Sequence, residues 1–214
     1  MARVLGVLPA GGSGARLGAG GPKALARLGG ATLLARAAAT LEEICDVLVV
    51  TAPRALDLPA RAGADWRGRA IADPTGSVGP LGGIVAGLSA DEFEMAIVLG
   101  VDFPFVVVGT LRDLLERARA ARPRLAVIPA PGGRAQPLVA AYAPEARTRL
   151  AAALEAGERS LVPAALALDP LLLDDHALEQ LEGGVGAFFN LNTPADHAEA
   201  ERRLAAPRPA PGER

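Results

Sequence analysis

Short runs of β-branched and other apolar residues alternate along this chain with longer segments rich in alanine, leucine and arginine. Strands joined by crossover helices produce this alternation, because the helices cover both faces of the sheet and the strands then read as continuous apolar runs. The pattern therefore predicts an α/β fold with a mainly parallel central sheet.

The apolar runs predict strands at Val4–Leu8, Val47–Thr51, Ala70–Ala72, Ala96–Val101, Leu125–Pro129, Leu138–Tyr142 and near Phe188–Leu191. Helices are predicted between them at Thr32–Glu43, Leu81–Ser89, Thr110–Ala121, Pro144–Ala156 and Pro194–Leu204. The helix starts are supported by residue type: Thr32, Thr110 and Thr193 can cap a helix, while Pro80 and Pro194 suit a first turn.

The composition fits one globular domain, predicted over residues 1–205, followed by a Pro/Arg/Ala-rich tail at 206–214 that is expected to be disordered. A net charge of −2 gives no sign of the basic surface that binding to nucleic acid or to an anionic membrane would require. A single cysteine and two histidines argue against a disulfide and a Cys/His zinc site. With no basic leader and no long apolar run, we expect a cytoplasmic protein that binds no membrane.

The segment from Pro9 to Lys23, which follows the first predicted strand, is rich in glycine. Its glycines are Gly11, Gly12, Gly14, Gly18, Gly20 and Gly21. Residues without Cβ let backbone amides approach an oxyanion closely, so the segment is interpreted as a phosphate-binding loop. Its spacing matches neither the dinucleotide fingerprint nor the P-loop, because Lys23 is followed by Ala24 and not by Ser or Thr. A flexible hairpin loop is the structural alternative.

Lys23 is the only lysine in a chain with 22 basic residues. A compact ammonium and a wide guanidinium fork are not interchangeable beside a phosphate that backbone amides already hold. We therefore expect Lys23 to act on phosphates as a point charge. Chance survival of one exposed lysine is the alternative.

Two aspartates follow predicted strands. Asp102 ends the apolar run Val98–Val101, and a carboxylate at this position can hold Mg²⁺ while phosphates and water complete the octahedron. Asp73 ends an earlier strand and could be a second or an indirect ligand. The alternative for either aspartate is a turn or a helix cap.

Two further segments carry polar groups that could meet a ligand. The segment Gly79–Gly83 opens a helix whose free amides could take a phosphate or a nucleoside, although close helix–sheet packing would equally explain its glycines. In the segment Asn190–Pro194, Asn190 and Asn192 fall on one side of an extended chain and could bind a polar ligand. An Asx turn with a helix cap is the alternative.

The order of these motifs resembles the molybdenum cofactor guanylyltransferase family over nearly the whole chain. The resemblance implies a Rossmann-like, three-layer nucleotidyltransferase fold. It also implies transfer of GMP from Mg²⁺-bound GTP to the terminal phosphate of molybdopterin, with release of pyrophosphate. The opening motif is common to many nucleotidyltransferases, whereas the Asp-x-Pro motif at Asp102 and the late Asn-x-Asn-Thr-Pro motif are more specific to this branch.

The resemblance also implies roles for individual residues. The nucleotide-binding set would be Pro9, Ala10, Gly11, Gly12, Lys23, Thr51, Asp73 and Asp102. Lys23, Arg16 and Asp102 would be catalytic: Arg16 would neutralise phosphate and Asp102 would carry the magnesium. Asn190 and Asn192 would face the pterin of the acceptor. The product would pass through transient contacts to molybdoenzymes or their chaperones.

Three residues depart from the family pattern and leave the base and the acceptor open. Pro9 stands where guanylyl members commonly have leucine, Pro22 before Lys23 resembles cytidylyl and sugar-phosphate enzymes, and Thr51 replaces a frequent asparagine. One alternative is a relative that uses CTP with molybdopterin or another phosphorylated acceptor. A second is a nucleotide-binding domain without turnover.

Overall fold

The structure is a computed structural model that describes residues 3–11, 22–52, 68–72 and 79–206. The strands in these residues are β1 (Val4–Pro9), β2 (Arg27–Leu28), β3 (Ala31–Thr32), β4 (Val47–Ala52), β5 (Arg69–Ala72), β6 (Met95–Leu99), β7 (Ala126–Pro129), β8 (Val139–Tyr142) and β9 (Leu171–Leu173). The α-helices are α1 (Leu33–Glu42), α2 (Pro80–Leu88), α3 (Val108–Ala120), α4 (Pro144–Glu155), α5 (Leu161–Leu166), α6 (Asp175–Leu178) and α7 (Pro194–Ala205). Short 3₁₀ helices lie at Lys23–Leu25, Pro131–Gly133 and Val185–Phe188.

Within the described residues, seven strands form one sheet in the order β5-β4-β1-β6-β8-β7-β9. The pairs β5–β4, β4–β1, β1–β6 and β7–β9 are parallel, whereas β8 is antiparallel to both β6 and β7. A single reversed strand leaves the sheet mainly parallel, which confirms the predicted α/β class. Strands β2 and β3 form a separate small hairpin.

Apolar side chains cover both faces of the sheet, because alternate residues of each strand point to opposite sides. On β1, for example, Val4 and Leu8 join the layer under α1, α3 and α7, while Leu5 and Val7 join the layer under α2, α4 and α5. The result is three layers with a sheet buried on both sides, as parallel strands require.

The predicted helices agree with the structure to within two residues at each end. Thr32 and Thr193 cap α1 and α7 with their side chains, as predicted. Thr110 is not the N-cap residue of its helix, because α3 begins at Val108, but its side chain does help to cap α3: its Oγ1 accepts the N–H of the N-cap residue Val107 at 3.4 Å. The buried Thr110 hydroxyl also donates a hydrogen bond to the carbonyl of Glu182, 2.6 Å away.

The late strand predicted near Phe188–Leu191 is also wrong. Residues Val185–Phe188 form a 3₁₀ helix, and the chain then runs without regular structure to α7. The last strand of the sheet is instead β9, whose Leu171 and Leu172 are exposed at its edge. Residues 207–214 of the predicted tail lie outside the described residues, so the predicted disorder stays a prediction.

The parallel strands β1, β4 and β6 all end at one edge of the sheet, where α/β folds bind their ligands. The pairing of β1 with β4 continues past the end of β1, because the N–H of Ala10 donates to the carbonyl of Thr51 at 2.7 Å. The loops that leave this edge therefore start from fixed positions. No helix in the described ranges is both long enough and apolar enough to cross a membrane.

Candidate active site

Lys23 is placed by the short 3₁₀ helix that it begins. Ala24, the next residue, is fully buried and anchors this helix in the core under α1. The glycines Gly29 and Gly30 take positive φ angles of 57° and 85° and close the β2–β3 hairpin that follows, as a two-residue turn of this type requires. Glu201 of α7 accepts a hydrogen bond from the N–H of Gly29, so the hairpin after Lys23 is tied to the last helix.

Asp102 is placed by the turn that leaves β6. Its neighbours Val101 and Phe103 are buried at 3% and 2% exposure and hold the turn in the core. The N–H of Gly100 donates to the carbonyl of Leu138 at 2.7 Å, which fixes the start of the turn against the loop before β8. Gly100 has a second role: a Cβ at this position would lie 2.5 Å from Asp102 Oδ1. The glycine therefore makes room for the carboxylate.

The segment of Asn190 and Asn192 lies directly against the Asp102 turn. The N–H of Leu191 donates to the carbonyl of Asp102 at 2.8 Å, and the Leu191 side chain is fully buried. The Nδ2 of Asn192 donates to Oδ1 of Asn190 at 2.7 Å, so the two amides lie side by side. The hydrogen bond between them agrees with the predicted placement of both amides on one side of this segment.

Lys23, Asp102 and Asn192 meet at this edge of the sheet. The Lys23 ammonium donates to Asp102 Oδ2 at 3.1 Å and to Asn192 Oδ1 at 2.7 Å. The side chains of Lys23 and Asp102 are only 12% and 14% exposed, so the pair is partly shielded from water. Asp102 and Asn192 thus share the Lys23 ammonium, although they lie 79 and 169 positions from Lys23 in the sequence. A partly desolvated cluster of this kind interacts strongly with added charge.

An aromatic contact that the sequence analysis missed fixes the same two loops. Phe105, three residues after Asp102, and Phe189, just before Asn190, pack edge to face with ring centroids 5.8 Å apart. The guanidinium of Arg203 on α7 lies over the Phe189 ring, 4.3 Å from its centroid. The only sequence signal was the position of each phenylalanine next to a motif. The stack holds the Asp102 turn and the asparagine segment together.

Asp196 is a second residue that the sequence analysis missed. Its Oδ2 accepts hydrogen bonds from the N–H groups of Asn192 and Thr193, at 2.9 and 2.7 Å. The Asn192 N–H is the main cause that lowers the pKa of the Asp196 carboxyl, and Thr193 and the charge of Lys23 act in the same direction. The spacing of Thr193 and Asp196, typical of a capping box, was the signal for this role.

Other predicted site residues lie near this edge or outside the described part of the chain. Pro9 ends β1, and Ala10 and Gly11 follow it. Thr51 is 1% exposed, and its Oγ1 has no hydrogen-bond partner within the described residues. Predictions for Gly12, Arg16 and Asp73 fall outside the described residues.

The helix start at Gly79 has the form that the sequence predicts. Gly79 has a φ of 101°, a conformation that favours glycine, and Pro80 begins α2. Gly82 and Gly83 are buried in the helix. At Gly87, one turn further on, a Cβ would collide with the side chain of Val7 on β1. Close packing on the sheet thus accounts for Gly87, and at Gly79 a Cβ would lie 2.8 Å from the carbonyl oxygen of Arg159.

The donors at this edge suit a hard cation. In the ranges that the structure describes, no three His, Cys, Asp or Glu side chains are grouped as a metal cage. Magnesium does not need such a cage, because it commonly uses one or two carboxylates with phosphates and water. The oxygen atoms of Asp102 and Asn192 already hold one cation, the Lys23 ammonium. The residues present therefore fit a magnesium ion that arrives with a phosphate ligand.

Solved structures of nucleotidyltransferases have this fold. A molybdopterin-guanine dinucleotide biosynthesis protein A from Archaeoglobus fulgidus is 27% identical, with a TM-score of 0.78 over 94% of this chain and 98% of that one. A 2-C-methyl-D-erythritol 4-phosphate cytidylyltransferase from Thermus thermophilus shares the fold at 21% identity, with a TM-score of 0.70 over 95% of this chain and 100% of that one. Fold and site together define a nucleotidyltransferase.

Sequence relatives narrow the class to a family. Residues 6–169 match the family described as MobA-like NTP transferase domain. A probable molybdenum cofactor guanylyltransferase from Natronomonas pharaonis is 32% identical over 94% of this chain and 98% of its own length. A molybdenum cofactor guanylyltransferase from Rhodopseudomonas palustris is 36% identical over 91% of this chain and 89% of its own. The chain belongs to the MobA-like NTP transferase family.

Proposed function

We propose that this protein is a molybdenum cofactor guanylyltransferase that transfers GMP from Mg²⁺-bound GTP to the terminal phosphate of molybdopterin and releases pyrophosphate. The observation that carries the proposal is the ammonium of Lys23, shared between Asp102 and Asn192 at the carboxyl edge of the sheet. Relatives that cover nearly the whole chain and are named for this activity support the choice of substrates.

In this reaction Lys23 neutralises the phosphates of GTP as a point charge, together with Arg16. The backbone amides of Gly11 and Gly12 bind the phosphates, because this loop leaves the end of β1 at the ligand-binding edge, and Ala10, whose own N–H is bonded to Thr51, fixes the start of the loop against the nucleotide. Asp102 would hold the magnesium ion, which when bound would supply charge stabilisation to the triphosphate. Positioning and neutralisation of charge provide most of the catalysis, as in other phosphoryl transfers.

No general base is required, because the terminal phosphate of the acceptor is already ionised at neutral pH. The positions of the two histidines agree with the absence of a general base. The Nε2 of His197 lies 2.6 Å from the carbonyl of Arg27 and thus links α7 to the hairpin. His176 lies on the short helix α6. Within the described residues, the cluster of Lys23, Asp102 and Asn192 contains no histidine contact.

Asn190 and Asn192 are proposed to bind the acceptor. Asn190 contacts only the amide of Asn192 in the described cluster and leaves its own Nδ2 available to a polar heterocycle. Asn192 also binds Lys23, so it lies at the boundary between the two substrates. After transfer, transient contacts with molybdoenzymes or their chaperones in the cytoplasm would take up the product.

The use of CTP instead of GTP is the second candidate, and Thr51 is the observation that favours it. Its hydroxyl is buried without a hydrogen-bond partner in the described residues, at the strand end that neighbours Ala10. A hydroxyl offers fewer groups to a base than the asparagine common in guanylyl members. A different base preference would follow from this change.

The test measures pyrophosphate release from GTP, CTP, ATP and UTP, each with Mg²⁺ and molybdopterin. We expect release with GTP and molybdopterin together and none when either is omitted. Asp102→Asn is the matched inactive control. Release with CTP alone among the four nucleotides would replace the guanylyl assignment with a cytidylyl one. Nucleotide binding without release under any condition would identify a non-catalytic nucleotide-binding domain.

A further inference from the structure

Asp102 presents one carboxylate oxygen to the cluster, and Lys23 already uses it. Oδ2 accepts the hydrogen bond from the Lys23 ammonium at 3.1 Å. Oδ1 is turned back against Gly100, where a Cβ would lie only 2.5 Å away. The oxygen that is directed toward the cluster is therefore the one that holds the lysine.

A divalent cation on the same oxygen would be close to the ammonium. Magnesium binds carboxylate oxygens at about 2.1 Å, so it would lie within about 5 Å of Lys23 Nζ whatever its direction. Both groups are positive, and the side chains of Lys23 and Asp102 are only 12% and 14% exposed, which weakens screening by water. Electrostatic repulsion between the ammonium and the metal ion at this distance would weaken the binding of both to Asp102.

We propose that Lys23 and the divalent metal compete for Asp102, and that the nucleoside triphosphate resolves the competition by drawing the ammonium onto its phosphates. The metal then enters with the nucleotide and not before it. This regulation of the site rests on the proposed function, since it takes Asp102 as the metal ligand and a triphosphate as the ligand of Lys23. It assigns Lys23 a second role as an internal counter-ion of the metal site.

The same movement affects the acceptor side. Asn192 Oδ1 accepts from Lys23 at 2.7 Å, and the Nδ2 of the same side chain donates to Asn190. When the ammonium moves to a phosphate, Asn192 Oδ1 loses its donor and becomes free to accept one from the acceptor. Binding of the nucleotide therefore prepares the acceptor site, and the two affinities are coupled reciprocally.

The direct test measures Mn²⁺ binding to the nucleotide-free protein by electron paramagnetic resonance. Lys23→Met removes the charge and keeps most of the side-chain length, so we expect it to bind Mn²⁺ about tenfold more tightly than the wild type, or better. Arg147→Met is the charge-matched control, because it removes a positive charge that pairs with Glu92 elsewhere on the surface. Its Mn²⁺ affinity should stay within about twofold of the wild type.

The double change of Lys23→Met with Asp102→Asn identifies where the added metal binds. The gain in Mn²⁺ affinity should disappear in it. Equal Mn²⁺ affinities for Lys23→Met and wild type would overturn the proposal, and so would a gain that survives in the double variant. These outcomes are independent of turnover. A protein that shows the gain but does not transfer GMP would refute the proposed function and leave the competition standing.

A second measurement needs no substitution at Lys23. Because the chain contains one lysine, lysine labelled with ¹³C at Cε gives a single side-chain signal in the nuclear magnetic resonance spectrum. GTP added in the presence of a chelator should shift this signal, because the ammonium leaves Asp102 and Asn192 for the phosphates. A signal that does not move at saturating GTP would overturn the proposal.

Discussion

Two aspartates at opposite edges of the sheet differ in what holds them. Asp46 precedes β4 at the amino edge, and its Oδ2 accepts the N–H of Val4 at 2.8 Å while its own N–H donates to the carbonyl of Val4 at 2.9 Å. Asp102 follows β6 at the carboxyl edge, and its Oδ2 accepts only from the side chain of Lys23 in the described contacts. One carboxylate is bound to backbone and the other to a side chain.

The difference separates a structural carboxylate from one that can exchange its partner. The pairing of β1 with β4 holds the Val4 N–H in place beside Asp46, so Asp46 contributes to the stability of the fold. The Lys23 ammonium sits on a flexible four-carbon stem and can move to a phosphate. A carboxylate with a movable partner is suited to binding a ligand, although the two residues look alike in sequence.

The largest expected effect is that of Asp102→Asn on turnover. Loss of the anionic ligand should lower magnesium-dependent pyrophosphate release about 10²-fold to 10³-fold or more, while the melting temperature changes little. Asp46→Ala should do the reverse: it leaves the N–H of Val4 without its acceptor, costs about 1–2 kcal/mol and lowers the melting temperature by several degrees. Both are measured by turnover per folded molecule and by thermal unfolding. A large loss of stability in Asp102→Asn with intact catalysis would make the two aspartates equivalent.

Next in size is the effect of Lys23→Arg. The ammonium lies 3.1 Å from Asp102 Oδ2 and 2.7 Å from Asn192 Oδ1, a narrow space for the wider guanidinium fork. We expect turnover to fall by up to about 10²–10³-fold although the charge is kept. Arg27→Lys is the control, since Arg27 is exposed and contacts the carbonyl of Gly30 on the adjacent hairpin. Wild-type turnover in Lys23→Arg would restore chance survival as the explanation for the single lysine.

The sequence predicted the buried strands of the sheet and missed its short edge strand β9. Apolar runs such as Val47–Thr51 are buried on both faces and therefore stand out, whereas β9 has only three residues and Leu171 and Leu172 are exposed. The positions of Lys23 and Asp102 after predicted strands placed both residues at the carboxyl edge of the sheet. The Lys23 ammonium bridges Asp102 and Asn192 because distant segments of the chain pack together. No local sequence pattern could predict this contact.

A smaller effect should separate Asn190 from Asn192. Asn190→Ala removes an amide that contacts only Asn192 in the described cluster, so it should raise the apparent KM for the acceptor and leave GTP binding within about twofold of the wild type. Asn192→Ala also removes a partner of Lys23, so it should change both acceptor use and GTP affinity. Calorimetry with Mg²⁺-bound GTP and acceptor kinetics measure the two effects. Equal losses of GTP affinity in both variants would assign both amides to the nucleotide.

The smallest expected effect concerns Asp196, which binds backbone as Asp46 does but lies beside Lys23 as Asp102 does. The N–H of Asn192 lowers its pKa below the ordinary 3.8, so the stability that it contributes is present above that pH and is lost as the pH falls through the lowered value. Asp196→Ala removes the capping contacts and should lower the melting temperature at pH 7 by about 2–4 °C, for a cost near 1 kcal/mol. As the pH falls from 3.8 toward the lowered pKa, the wild type should progressively lose this advantage, and the difference between the two melting temperatures should shrink. Glu116→Ala, which removes an exposed carboxylate on α3, is the control. A difference between Asp196→Ala and wild type that stays constant from pH 7 to pH 3 would show that the carboxylate charge does not stabilise the start of α7.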